Sequence, residues 1–348
     1  MKTIAPKSNN KLRSIESILS NETFLYVLKR LLQGIFTLFL ASLLSFIIIY
    51  QAPGDFIDTL RGNPAISQEQ IDGLIKLYGL DQPWYVQYWR WLVGVVTRLE
   101  FGYSYYYKIP VTEVIWPRVG ATLLLAISSI LVTWTIAIPL GILSAVKQNT
   151  VLDRILRTLS YVGQGFPSFI AALLLLFFAQ SVSPLFPVGN MESLNHSELS
   201  PLGQVLDVAW HLILPTIALS ITSFAGLQRL TRGQLLDVLR QDYIQTARAK
   251  GLPENRVFYV HALRNAINPL ITLLGFEFAS LLSGSFIAEY FFNWPGLGTL
   301  TLKAVQATDT YLVMASLTFG AAMLIVGNLL ADLLLKVVDP RITLANLK

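Results

Sequence analysis

Cysteine is absent from the 348 residues, which excludes disulfides, thiolate chemistry and cysteine-ligated metals. Histidine is nearly so. The three copies, His196, His211 and His261, are far apart in the chain, and there is no HExxH pair to hold zinc on one helix face. No GxxxxGK(S/T) loop is present to cradle nucleotide phosphates, and no GxSxG elbow to present a serine nucleophile. No segment repeats at a period of about 20 to 50 residues, which excludes solenoids and propellers. Charge is scarce too, at 14% against 53% hydrophobic residues and a mean hydropathy of +0.55. These values lie outside the soluble class, where about 25% of residues are charged. A self-contained metalloenzyme or serine hydrolase is disfavoured, and a multi-span membrane protein engaged in transport or scaffolding is left.

What is present is a series of long apolar runs with cations between them. A basic start (Lys2, Lys7, Lys11, Arg13, Lys29, Arg30) precedes an uncharged run from Leu31 to Gly54. That run is longer than the hydrophobic region of a secretory signal and no small-residue cleavage site follows, so it is read as an uncleaved first span. Further spans are expected at Val119–Val146, Thr158–Ser183, Ala209–Gln228, Ala266–Ala288 and Tyr311–Leu335. The net charge of +5 would suit nucleic acid only if the cations shared one face. On this topology nineteen of the twenty-six Lys and Arg fall on one side instead, the bias that marks the cytoplasmic side of a helical membrane protein. The expectation is an all-α polytopic protein with six transmembrane helices, both termini cytoplasmic, bound to membrane lipid and not to nucleic acid.

The connections fill in the two sides. Residues 55–118 form a long outer loop rich in aromatics, and within it Trp84, Tyr88, Trp91 and Val95 share one face of a short helix opened by Pro83. That spacing suits a helix lying in the membrane interface, read as an aromatic belt in preference to a substrate-binding cluster. The stretch after the third span has no Lys or Arg, as an outer loop should. In it His196 is read as a solvated residue, and His211 lies at the outer end of the fourth span. Glu289 is read as a solvated helix end at the outer interface. Four segments follow: 1–27 cytoplasmic, 28–118 first span plus outer loop, 119–340 a five-helix core, and 341–348 a cytoplasmic tail.

The core is interrupted by a polar stretch at 229–265 with seven basic residues against three acids. Leu235, Leu236, Leu239, Tyr243 and Ala247 recur at helical spacing, with Arg248 and Lys250 in the last turn, where cations complement the helix dipole. Gly251 follows as a natural C-terminal stop, and Pro253 with Glu254 opens a second helix to about Arg264. That helix presents Val257, Phe258 and His261 with no core of its own expected in so short a loop. Two readings are open on the residues alone: an amphipathic helix on the inner leaflet, or docking to another protein. Glu277, centred in the fifth span, should face the bundle interior, be protonated or have a partner, since a charged side chain at mid-membrane costs about 2.5 to 3.5 kcal/mol on insertion scales. An interhelical hydrogen bond and a place along a translocation pathway are both open to it.

The string DYIQTARAKGL followed by HALRNA resembles the EAA-type loop of permease subunits in bacterial ABC importers, and more narrowly their peptide/nickel class. LLQGIFTLFLASLLSFIIIYQAPGD, GLDQPWYVQYWRWL, LEFGYS, FNWPGLG and DLLLKVVDPRI are similar to other parts of that class, so the likeness runs from about Leu28 onward. Gln245, Thr246 and Arg264 depart from the broader superfamily pattern in the way usual for the peptide/nickel class. Residues 1–27 look specific to this chain. The resemblance implies a type I ABC importer permease fold and a non-catalytic subunit that binds no cofactor itself, with ATP and magnesium on partner ATPase subunits. The implied partners are those cytoplasmic ATP-binding-cassette subunits, a second permease subunit in a heterodimer, and an external substrate-binding protein. Peptide cargo is the implied substrate and the bacterial inner membrane the implied location. Ala247 and Gly251 would permit close approach and the turn, and Val257, Phe258 and His261 would supply ATPase-coupling contacts. Glu277 stands where the class tends to carry an amide. The competing function is a secondary transporter driven by an ion gradient, for which a single intramembrane acid is a thin basis.

Overall fold

The computed structural model describes residues 21–52, 54, 56–62, 66–182 and 186–338. Much of the expected 1–27 segment and all of the 341–348 tail lie outside them. Among the described residues the chain is helical, with only an isolated bridge between Tyr103 and Pro110 in extended pairing. The elements are α1 (Asn21–Gln51), α2 (Phe56–Arg61), α3 (Gln68–Tyr78), α4 (Trp84–Arg98), α5 (Val111–Val146), α6 (Val151–Gly165) and α7 (Ser168–Ser181). They continue with α8 (Pro201–Leu239), α9 (Asp242–Ala249), α10 (Glu254–Arg256), a π-helical turn (Val257–Ala262), α11 (Leu263–Ala266), α12 (Asn268–Phe291), α13 (Leu297–Gln306) and α14 (Thr310–Val338).

Helix α8 is the centre, packing against α5, α6, α7 and α12, while α12 leads to α14 and α14 to α1. Its contact with α5 is close because Gly141 carries no side chain: a Cβ there would stand 2.6 Å from the Thr231 Cβ and 2.8 Å from the Gln228 carbonyl oxygen. Small residues permit such approach between membrane helices, where packing replaces the hydrophobic drive. Helix α1 joins α14 through polar groups: the Tyr26 hydroxyl donates to Asp332 at 2.6 Å, Arg30 pairs with Asp332 at 3.1 Å, and Lys336 donates to Thr23. The other face of α1 exposes Phe24, Leu32, Ile35, Phe36, Leu44 and Ile48, as a lipid-facing helix must.

Among the described residues four helices, α1, α5, α8 and α14, are long and apolar enough to cross a membrane, and the bent pair α6 and α7 makes a fifth candidate. Helix α12 overlaps the expected fifth span but starts at Asn268 and runs on to Phe291. The third expected span is not one helix. Phe166 is extended (φ −92°, ψ 117°) ahead of Pro167, and the chain turns by 102° between α6 and α7. Proline clashes with a helical conformation in the residue before it and lacks the N–H to continue the ladder.

The 55–118 segment also differs from expectation. Tyr88 and Trp91 are buried with Phe46, Phe101, Val111 and Met314, in protein and not at a lipid interface. It is the opposite face of α4 that exposes Tyr85, Trp89 and Val96. The segment is held down by Asp309, which accepts from the Ser104 hydroxyl at 2.6 Å and from the N–H groups of Tyr106 and Leu312. Burial pushes the Asp309 carboxyl above its ordinary value, against the opposite pull of these hydrogen bonds.

Candidate functional site

Chemistry-bearing side chains gather at both ends of the bundle and at one point in its middle. At the end that carries the basic stretch, α8 spans 39 residues, about 58 Å at 1.5 Å per residue. A hydrocarbon core is about 30 Å thick, so α8 projects well beyond it and takes Arg229 and Arg232 with it. The regular helix therefore runs on through Arg229 and Arg232 and stops near Arg240. There the Arg240 and Gln241 N–H groups bond back three residues, to Asp237 and Val238 at 3.4 and 3.1 Å, and Gln241 is extended. The expected single helix through Leu235 and Tyr243 is thus broken in two.

Helix α9 lays Ile244 and Ala247 onto Leu235, Leu239, Ala145, Val257, Ala262 and Ala266. Gly251 follows in the left-handed region (φ +74°), and the turn closes with N–H bonds from Gly251 to Arg248 and from Leu252 to Ala247. Arg248 bridges the turn to Glu254 at 3.0 Å, and Asn265 donates to the Tyr243 hydroxyl at 2.9 Å. The π-helical turn sets Val257 and Ala262, five residues apart, both inward, while Tyr259 and Val260 point out at 60% and 50% exposure. π-turns of this kind are frequent at functional sites.

Of the expected contact residues, Ala247 and Val257 are buried in this same chain, Phe258 packs partly on the same cluster, and His261 is half-buried. The stretch has a small core after all, built from α5, the end of α8 and α11. Its outward residues include Tyr243, Thr246, Gly251, Tyr259 and Val260, among polar and charged neighbours such as Gln245, Lys250 and Arg256. Periodicity alone could not find this face, because the π-turn shifts the register by one residue.

Beside that core lies Asp153, with no exposed surface. Arg232 reaches its two oxygens at 2.8 and 3.0 Å, the Ser144 hydroxyl donates at 2.6 Å, and the Asn149 N–H at 2.9 Å. The arrangement ties α6 to the ends of α5 and α8. Neither Asp153 nor Arg232 stood out in the sequence as more than a charge in a basic segment.

In the middle of the bundle Glu277 of α12 accepts a hydrogen bond from the Trp134 indole of α5 at 2.7 Å, with Ser223 of α8 as a second partner. Three helices thus share one carboxyl group.

At the far end Glu289 is not a solvated helix end but fully buried. Its oxygens accept from the Thr122 and Ser285 hydroxyls at 2.7 and 3.1 Å and from the Gly298 and Thr299 N–H groups at 2.8 and 3.1 Å. It caps the start of α13, satisfying N–H groups that lack partners within the helix. The WPGLG string is shaped to this carboxyl: a Cβ on Gly296 would stand 2.1 Å from the Glu289 Cδ, and one on Gly298 would stand 2.9 Å from its Oε2. Trp294 is buried beside it and donates to the Ala121 carbonyl at 2.9 Å. A glycine pair five to ten residues after an acid was the signal available in the sequence. His196, expected in solvent, lies with Nδ1 2.7 Å from an Asp207 oxygen.

Residues 137–344 match the family of binding-protein-dependent transport system inner membrane components, and residues 23–126 match the N-terminal family of the same membrane components. The oligopeptide transport system permease protein AppB of Bacillus subtilis (strain 168) is 42% identical over 318 residues, covering 91% of this chain and 98% of that one. The dipeptide transport system permease protein DppB of Escherichia coli (strain K12) is 36% identical over 333 residues, with the same shares covered. A solved structure of the MetNI methionine ABC transporter in an inward-facing conformation has a TM-score of 0.54 at 14% identity, over 65% of this chain and 97% of that one, a likeness of fold alone. An all-helical bundle with several membrane-length helices, matched from end to end in this way, belongs to the family of binding-protein-dependent transport system inner membrane components, the multi-pass permeases of ABC importers.

Proposed function

We propose that this chain is one of two permease subunits, in a heterodimer, of an ATP-driven importer that passes peptides inward. In this reading it has six spans with both termini in the cytoplasm. An external binding protein delivers the cargo, and separate ATPase subunits, which hold ATP and magnesium, dock on residues 240–266. The observation that carries the docking reading is the outward face of that stretch. A rigid base of α8, α9 and α11 presents Tyr243, Thr246, Tyr259 and Val260 around a glycine turn, and exposed apolar residues on a packed polar segment mark a protein contact. Ala247, Val257 and Phe258 support that face from beneath, and His261 stands at its edge. The peptide cargo rests on the names of the relatives above.

The test is peptide uptake by vesicles carrying the assembled transporter. ATP inside the compartment that faces residues 240–266 should drive uptake, and a proton or sodium gradient without ATP should not. Gly251→Glu should abolish uptake and release the ATPase subunits on purification, while the chain still inserts. A Cβ at Gly251 meets nothing within 4 Å, so the expected cost is the left-handed backbone, about 1–2 kcal/mol for a non-glycine residue, plus an anion on the docking face. Normal ATP-driven uptake by that variant, or gradient-driven uptake by the unaltered chain, would count against the proposal.

A further inference from the structure

At the end of the bundle opposite the docking stretch, a cavity of about 580 Å³ opens between the outer turn of α5, the α12–α13 turn, α13 and residues 190–194. Sites for small ligands fall at about 300–1,000 Å³. Its lining holds two cations, Arg118 and Lys303, and one acid, Glu192. Arg118 stands one helical turn ahead of Thr122, and Lys303 one turn beyond Thr299, the two residues that reach Glu289 from α5 and α13. Both cations are therefore set one turn out from the buried acid of this end. That acid already accepts four hydrogen bonds from hydroxyl and backbone groups. Neither Arg118 nor Lys303 is in an ion pair among the described residues. At the rim the Asn293 amide donates to the Asn190 side-chain carbonyl, a bond in which the Asn190 NH₂ group takes no part.

Two uncompensated cations in a concave site call for an anion with two acceptor oxygens, and a carboxylate fits. We propose that this pocket receives the carboxyl terminus of a short peptide at the external mouth, with Arg118 and Lys303 as its partners and Glu192, whose Oε2 lies 3.4 Å from the His196 Nε2, as the acid of the lining for the ammonium end. The inference rests on the orientation and cargo proposed above. A carboxylate on a docking protein would have the same chemistry, but a cavity of this volume is the size of a small-ligand site.

The test is titration of the full-length chain in lipid nanodiscs with N-acetyl-alanyl-alanine and with its C-terminal amide. The acid should bind about ten- to a hundredfold more tightly than the amide, the size of a charge-assisted hydrogen bond or two. Arg118→Gln and Lys303→Gln should each remove most of that preference at an unchanged unfolding midpoint, and Arg118→Lys should keep part of it. Equal binding of acid and amide by the unaltered chain, or a preference that survives both Gln substitutions, would overturn the proposal. So would a variant that keeps the preference but captures the external binding protein more weakly, since the carboxylate would then be that protein's. No ATP or transport enters the titration, so its failure leaves the permease reading standing, whereas a failure of ATP-driven uptake leaves the pocket standing.

Discussion

Glu289 is one carboxyl group serving as a junction, and its partners decide what a substitution there does. The two hydroxyls can also accept, but the Gly298 and Thr299 N–H groups can only donate, so removing the carboxyl would leave both unmatched. An unsatisfied buried donor costs about 1–3 kcal/mol. Glu289→Ala should therefore lower stability by at least that amount, read as a fall in the thermal midpoint of the purified chain, and an unchanged midpoint would refute the cap. Glu277 is the contrasting case. Its partners are an indole donor and a serine hydroxyl, and a glutamine oxygen accepts from both. Glu277→Gln should leave the fold intact. If the group lines the pathway, substrate range or the pH profile of uptake should shift; unchanged transport kinetics would leave it a structural tie among α5, α8 and α12.

Elements here are positioned by where their ladders stop. Pro167 bends the third apolar segment, the back-bonded turn at Arg240 separates α8 from α9, and the left-handed Gly251 separates α9 from α10. Between these stops, the Asp153–Arg232 pair sets how α6 meets α8. Removing one partner of a buried ion pair costs about 3–5 kcal/mol, because the other charge is left behind, while replacing both is often nearly neutral. Asp153→Ala should thus destabilise the chain strongly, and Asp153→Ala with Arg232→Met should recover most of the loss. Equal unfolding midpoints for the single and double variants would show that the pair carries no such coupling. Element existence was largely legible in the sequence: a helix lies under each expected span except the third, which the turn at Pro167 divides between α6 and α7. Element ends were less so. Proline at 167 was visible as a residue, but a long apolar run around it read as one span.

At the scale of the whole molecule, α8 organises the bundle. It is long enough to cross a membrane and still carry Arg232 and Leu235 into the base of the 240–266 stretch. Motion of that stretch would bear directly on α5, α6 and α8, because all three meet there.

The sequence by itself determined the membrane class, the helical content, the segregation of basic residues and the turn at Gly251. Each of these follows from local composition, and a lipid environment permits few alternatives to helices. It did not determine which groups meet. Glu289 with Thr122, Asp153 with Arg232, and Glu277 with Trp134 are joined across 167, 79 and 143 positions. Arg118 and Lys303 are brought to one cavity from separate helices in the same way. Such pairings depend on helix rotation and depth, which are set by packing at small residues such as Gly141 and by the need to satisfy every buried polar group. Those conditions act between elements distant in sequence, and only the tertiary structure could decide them.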